Sequence, residues 1–345
     1  MPGKMNPRER WSLLLIDELP DRPPVYPLVT CHAARVYNCD LIEYCTDGRI
    51  LAEAQLEAQR LYGHEGLSVF TDVGIIAEAM GSKYHLREFE VPILDSPLIT
   101  DTAMIGELGP PDPTTQGRLP VYLEAIDRMY SAAGDVLPIF AFIPCPFTTA
   151  AGLRGVDNFL MDTVLEPQAA HDLLDVSLKS AITFCDECIL AGALPMLVDP
   201  LASGSVISRT TYSHFAKSYQ QKLIAHLHRY DLDVTLHICG DTSNMLDLIP
   251  QTGADLFSFD LADVDSATDA MGDRVRLVGN LPPHGLLPSS NLSVTQGTNS
   301  IMEMGLKNPK GFVLSTGCEV PIRCEAQKLH TLINIGKNAR YEEVW

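Results

Sequence analysis

An imidazole and a thiol stand one residue apart at His237 and Cys239, where the apolar run from Leu232 to Asp241 (LDVTLHICGD) gives out. The run carries the β-branched pair Val234-Thr235 and reads as a buried strand. Side chains two apart on a strand point the same way, so His237 and Cys239 form a clip of two good zinc ligands. Such a clip needs one or two further ligands from elsewhere. The best candidate is Cys318, in GFVLSTGCEVP from Gly311 to Pro321, where a second buried strand ends. Gly317 before it is expected to let the backbone turn there without steric penalty. Three protein ligands leave zinc one open position, the mark of a catalytic site.

A thiol at neutral pH is mostly protonated, and only the thiolate is a strong nucleophile. Zinc binds a substrate thiol, expels its proton and holds the sulfur in place. Two cysteinates and a neutral histidine cancel the charge of the ion, so a bound substrate thiolate makes the centre anionic and keeps its sulfur electron-rich. Three histidines would retain positive charge and suit hydroxide generation. The set therefore favours alkyl transfer to sulfur over hydrolysis. The competing reading is packing: a buried cysteine acting as a small hydrophobe beside an ordinary, satisfied histidine.

The other cysteines and histidines carry weaker signals. Cys185 and Cys188 lie in the helical pattern FCDECILAGA with no second pair nearby, and residues three apart on one helix face simply pack. Cys31-His32 follows the first strand and could reach the same region, though packing is the expected role. Cys324 lies beyond the turn at Pro321. His226 and His228, two apart on a helix, do not share a face. Asp186-Glu187 and Glu342-Glu343 read as solvated charges.

The elements that must position the clip form a regular series. Eight buried strand candidates run Val25–Thr30, Leu67–Thr71, Leu137–Ile143, Leu194–Val198, Val234–Ile238, Leu256–Phe259, Val275–Val278 and Phe312–Ser315. Each is followed by a helical stretch. Strand–helix alternation calls for a parallel sheet, and eight units call for a closed α/β barrel of the TIM (β/α)8 type. The barrel would be one domain spanning 1–345, with an N-terminal extension and a Pro-rich insertion after the second strand, 75–135, that caps the site. Asp72, Asp199, His237, Asp260, Asn280 and Cys318 all stand at or just past strand C-termini. That rim is where barrel active sites lie. The two aspartates at 72 and 199, with Asp260 and Asn280, are therefore candidate substrate-binding residues, although such residues at strand ends can also merely cap the next helix.

With a formal charge of −19 over 345 residues, the chain is repelled by phosphate backbones and anionic membranes. No apolar run approaches a membrane span, and the N-terminus lacks a signal pattern, so a cytoplasmic protein is expected. Nine cysteines, odd in number and irregular in spacing, argue for free thiols and metal ligands.

The segments HICGDTSNMLDLIPQTGADLFSFD, GDRVRLVGNLPP and GFVLSTGCEVP resemble the methylcobamide:coenzyme M methyltransferases and related corrinoid-dependent methyltransferases of the uroporphyrinogen decarboxylase superfamily. The likeness extends over MNPRER, FTDVGIIAEAMG, PIFAFIPCPFTTAAGLRG and LVDPLAS. It implies a zinc ion on His237, Cys239 and Cys318, the same barrel, and a corrinoid such as methylcobalamin as co-substrate. No DxHxxG segment is present, so the corrinoid is expected on a partner protein or free. The resemblance implies methyl transfer from that corrinoid to a small acceptor, a coenzyme M-like thiol or a folate. An upstream alternative passes methyl from a methyl ether or other methylated substrate to the corrinoid protein, and a non-catalytic zinc-stabilised barrel is a third possibility. The decarboxylases proper carry an RQAGR pattern near the first strand. Here that segment reads VYPLVTCHAARVY, with Arg35 alone, so a uroporphyrinogen decarboxylase-like activity is the least favoured alternative. Asp72 matches the acidic position of the decarboxylases' FSD.

Overall fold

The computed structural model describes residues 5–341; Glu342 and Glu343 lie outside them. Seven parallel strands form one curled sheet in the order of the chain: β1 (Leu67–Val69), then β4 (Ile139–Pro144), β5 (Leu194–Val198), β6 (Thr235–Ile238), β7 (Leu256–Phe259), β8 (Arg276–Leu281) and β9 (Phe312–Thr316). Nearly every residue of these strands is buried, which explains their continuous apolar runs: a parallel sheet with helices on its outer face exposes neither side. Two further short strands, β2 (Lys83–His85) and β3 (Ile93–Ser96), pair antiparallel between β1 and β4.

The expected first strand, Val25–Thr30, is present as an extended stave with a single bridge, Val25 to Leu314. Tyr26 N–H donates to Leu314 O at 2.8 Å, and Leu314 N–H to Pro24 O at 3.0 Å. On the other side Glu65 N–H donates to Val25 O at 2.9 Å. Pro23, Pro24 and Pro27 have no N–H to give, so a regular ladder cannot form. Leu28 N–H bonds instead to Thr316 Oγ1 at 3.1 Å. The stave closes the ring between β1 and β9 and removes the sheet edges.

Glu65 locks the stave from below. Its carboxylate accepts from Arg10 Nη1 at 2.7 Å, from Arg22 Nη2 at 2.7 Å and Nη1 at 2.8 Å, and from Val25 N–H at 3.0 Å. Trp11 Nε1 donates to Glu65 O at 2.7 Å, tying the N-terminal helix Pro7–Leu15 to the same corner.

Several of the helical stretches are interrupted. The stretch after β4 breaks at Gly155, whose φ of +83° suits glycine alone, giving Pro146–Arg154 and Val156–Leu165. A π-helical turn, Tyr212–Ala216, interrupts the helix that follows β5, and residues Ser243–Thr252 wind as 3-10 turns around Pro250. Between β1 and β4, helix Leu119–Ala133 packs on β1, β4 and helix Gly48–Tyr62, while the β2–β3 hairpin and the turn Thr102–Glu107 precede it. Among the described residues no helix is long and apolar enough to cross a membrane.

Candidate metal centre

His237 is buried near the end of β6, in register with Val198 of β5 and Ser258 of β7. Its backbone carbonyl accepts from Asp199 N–H at 3.0 Å. On the other side its Nδ1 lies 2.9 Å from Ser258 Oγ. Its Nε2 lies 3.0 Å from Cys239 Sγ, and a metal on Nε2 would call for Nδ1–H to donate to Ser258. Cys239 is followed by Gly240 at φ +70°, where a Cβ would sit 2.7 Å from Ser203 Oγ and Ser205 Oγ. Glycine is thus required for the chain to turn after the thiol.

Cys318 arrives just beyond the end of β9, with its Sγ 3.0 Å from Cys239 Sγ. The ligand atoms of His237, Cys239 and Cys318 all lie within 4.8 Å of one another, and this is the one His/Cys/Asp/Glu group of metal-holding spacing among the described residues. The imidazole is buried and both thiols are partly exposed. The contact with Cys239, then hydrogen bonding and charge from His237, holds the Cys318 thiol well below its ordinary pKa. The same contact pushes Cys239 up, reinforced by burial and by the carboxyls of Glu319 and Asp260. One imidazole and two sulfurs, with Ser258 behind the ring, are a donor set that suits zinc.

The remaining strand-end residues fall into different roles. Asp260 Oδ2 accepts Gly240 N–H at 3.1 Å, while its Oδ1 is buried with no hydrogen-bond partner. Asn280 Nδ2 donates to Asp260 O at 3.0 Å and to Ala262 O at 2.7 Å, pinning the loop that carries Asp260. Gly317 does not adopt a positive φ; a Cβ there would stand 2.7 Å from Asp260 Oδ1 and 3.0 Å from its Cα. Close approach to Asp260, rather than a left-handed turn, is what requires glycine.

Asp199 is fully buried and accepts from Thr148 N–H at 3.1 Å, Thr148 Oγ1 at 2.7 Å and Gln220 Nε2 at 2.7 Å. Burial pushes its carboxyl up to about 6 against the pull of those donors. Asp72 accepts from Gly74 N–H at 2.8 Å and from Thr71 Oγ1 at 3.0 Å, and lies 2.8 Å from Arg118 Nη2. Both carboxylates are engaged by protein groups.

Glu319 follows Cys318 and accepts from Thr30 Oγ1. Burial, then the neighbouring Cys318, raises its carboxyl to about 8. Sequence reasoning passed over Glu319, Ser258 and Arg118. Adjacency to Cys318 signals the first, and the pairing of β6 with β7 signals the second. Nothing local signals Arg118, which meets Asp72 only through the fold.

Elsewhere, Cys185 and Cys188 are fully buried within helix Pro167–Leu190, outside the metal cluster. Cys31 Sγ donates to Thr71 O, and the His32 ring lies between Ile322 O and Tyr62 OH. His226 pairs with Asp186 at 2.6 Å and His228 with Asp255 at 2.8 Å. Arg35 is exposed on helix His32–Tyr37.

Comparison with known proteins agrees in extent with this architecture. The family described as uroporphyrinogen decarboxylase (URO-D) matches residues 6–339. A methylated-thiol–coenzyme M methyltransferase from Methanosarcina mazei is 28% identical, covering 100% of this chain and 93% of the relative. The methylcobamide:CoM methyltransferase MtaA from Methanosarcina barkeri is 26% identical over 84% of each chain. A uroporphyrinogen decarboxylase from Vibrio vulnificus is also 26% identical, over 90% of each. The solved structure of a methyltransferase from Methanosarcina mazei superposes with a TM-score of 0.85 at 24% identity, covering 97% of this chain and 99% of the other, and shares its fold.

Proposed function

This chain belongs to the uroporphyrinogen decarboxylase family, and from that premise we propose that it is a methyltransferase moving a methyl group between a corrinoid and a small thiol at a zinc ion. The ion would be held by His237 Nε2, Cys239 Sγ and Cys318 Sγ. The observation that carries the reading is the convergence of the two thiols, 3.0 Å apart though 79 residues distant in sequence, beside the free ring nitrogen. A buried pair packed only as hydrophobes has no need of an imidazole lone pair.

Decarboxylases and methyltransferases stand at similar identity to this chain, so the site has to decide between them. A tetrapyrrole bearing several carboxylates needs several cations. Arg35 is a single exposed arginine, and Asp72 is occupied by Arg118. Unpaired charges in a closed pocket are costly, which disfavours that substrate.

When bound, zinc supplies Lewis acidity that strips the proton from a substrate thiol and holds its sulfur as a nucleophile. The chain's own residues set this up. Ser258 fixes the ring of His237, Gly240 and Gly317 let the two thiol-bearing turns approach, and Asn280 holds the Asp260 loop. In transfer, the S–C bond forms as the Co–C bond breaks, and its electron pair stays on cobalt. The corrinoid is carried by a partner protein or offered free.

The test is a methyl-transfer assay of zinc-loaded protein with free methylcobalamin and a panel of thiols, a folate and methyl ethers. Zinc-dependent loss of methylcobalamin with appearance of a methyl thioether is expected. Conversion of uroporphyrinogen with no methyl transfer would overturn the reading.

A further inference from the structure

We propose that the protein has a second binding site, an anion pocket beside helix His32–Tyr37 that takes the phosphate of a small phosphate ester with a flat apolar body. The proposal stands independently of the zinc reading.

Three walls meet at this pocket. Helix His32–Tyr37 supplies Arg35, the turn between β2 and β3 supplies Glu88 and Phe89, and the loop beyond Cys318 supplies Ile322 and Arg323. They line a cavity of about 230 Å³. Backbone groups hold the walls together. Leu41 N–H donates to Glu88 O at 3.0 Å, and Ile322 O lies 3.0 Å from His32 Nδ1.

The two arginines set the pocket apart. The chain has 44 acidic residues against 25 lysines and arginines, so a guanidinium finds a partner easily. Among the described residues, every other arginine donates to a carboxylate or a carbonyl. Arg35 and Arg323 form no hydrogen bond and no ion pair with any described residue, and both line this one cavity. Glu88 is the single carboxylate on the lining, and it pairs with neither. Glu325 and Lys328, which act on Cys324 together with Arg35, lie 3.8 Å apart and offset each other. Two guanidinium groups against one carboxylate leave the pocket cationic.

A guanidinium is always charged and presents parallel N–H donors that match the oxygens of a phosphate. A phosphate monoester has three terminal oxygens, enough for both arginines. The cavity is smaller than the roughly 300–1,000 Å³ that hold drug-sized ligands, so it takes the anionic head and leaves the body outside. The body meets Phe89, whose ring is 72% exposed at the edge of the cavity and free to stack on a flat group.

Phenyl phosphate and inorganic phosphate, titrated calorimetrically into zinc-loaded protein freed of excess metal, test the proposal. The ester is expected to bind about fivefold more tightly than inorganic phosphate. Arg35→Gln and Arg323→Gln should each weaken both ligands by about tenfold. Phe89→Ala should remove the advantage of the ester and leave inorganic phosphate unchanged. All three side chains are exposed, so the variants should melt with the parent. Cys318→Ser protein should bind both ligands as the parent does. Binding that survives the double substitution Arg35→Gln with Arg323→Gln overturns the proposal, because the anion then sits elsewhere. Binding that disappears in Cys318→Ser protein also overturns it, because the anion then belongs to the metal centre. An ester that binds no more tightly than inorganic phosphate, or no binding of either at about 10 mM, overturns it as well.

Discussion

Ser258 lies directly across from His237 on the neighbouring strand, and its hydroxyl oxygen is 2.9 Å from Nδ1. That contact fixes the ring so that Nε2 faces the thiols. Replacing Ser258 by alanine should weaken zinc binding by roughly 10–100-fold while leaving the fold intact. Competition with a chelator of known affinity measures this, and an unchanged zinc affinity would remove Ser258 from the site.

Cys318→Ser should cost far more, because one of the two proposed sulfur ligands is lost. Zinc content after dialysis should fall to background and methyl transfer should vanish. The melting temperature of the metal-free protein should stay close to that of the parent, since the barrel core does not depend on this side chain. Retention of full zinc in the variant would end the assignment.

At the opposite end, Glu65→Gln leaves Arg10 and Arg22 buried without their shared carboxylate. Breaking a buried charged network of this kind destabilises by about 3–5 kcal/mol. Urea denaturation should register the loss, while zinc stoichiometry of the folded protein remains that of the parent. A change of under about 1 kcal/mol would show the network to be dispensable.

His64 is fully buried, and neither ring nitrogen has a partner. Burial, helped by the charge of Lys337, lowers its pKa from 6.5 to about 3. Between those values the unfolded chain binds a proton that the folded one does not. The contribution is therefore fully present above pH 6.5 and is lost as pH falls toward 3. The slope from this residue is about 1.4 kcal/mol per pH unit. His64→Gln protein should show a correspondingly shallower fall of stability below pH 6.5, read from denaturation curves at several pH values. Equal slopes in the two proteins would contradict this protonation scheme.

Much of this arrangement was legible in the residues. Buried parallel strands must be apolar throughout, so β4 to β9 announce themselves, and polar side chains at their ends mark the rim. The clip at His237 and Cys239 follows from alternation alone. What escaped is what tertiary contact decides. Val25–Thr30 has strand composition, yet its prolines reduce it to a one-bridge stave. Gly317 is required by a side chain from β7's loop, which no local pattern at 317 contains. Asp199 carries the same strand-end signature as Asp260, but its acceptors are consumed by Thr148 and Gln220, whereas Asp260 keeps one oxygen free. Strand-end position cannot separate those two cases, because only the surrounding donors do.

The proline-rich stave has a consequence for biosynthesis. Ser315 Oγ donates to Tyr26 O across a separation of 289 residues, so the segment made near the start of translation finds its seam partner only near the end. Cys318 follows that same partner strand. A nascent chain paused between Cys239 and β9 would therefore hold two of the three proposed zinc ligands on an unsealed sheet. Contacts this distant in sequence form late. On the proposed zinc reading, capture of the metal would belong to the released or nearly finished polypeptide, and a C-terminal truncation ahead of Phe312 should forfeit both the seam and the third ligand at one stroke.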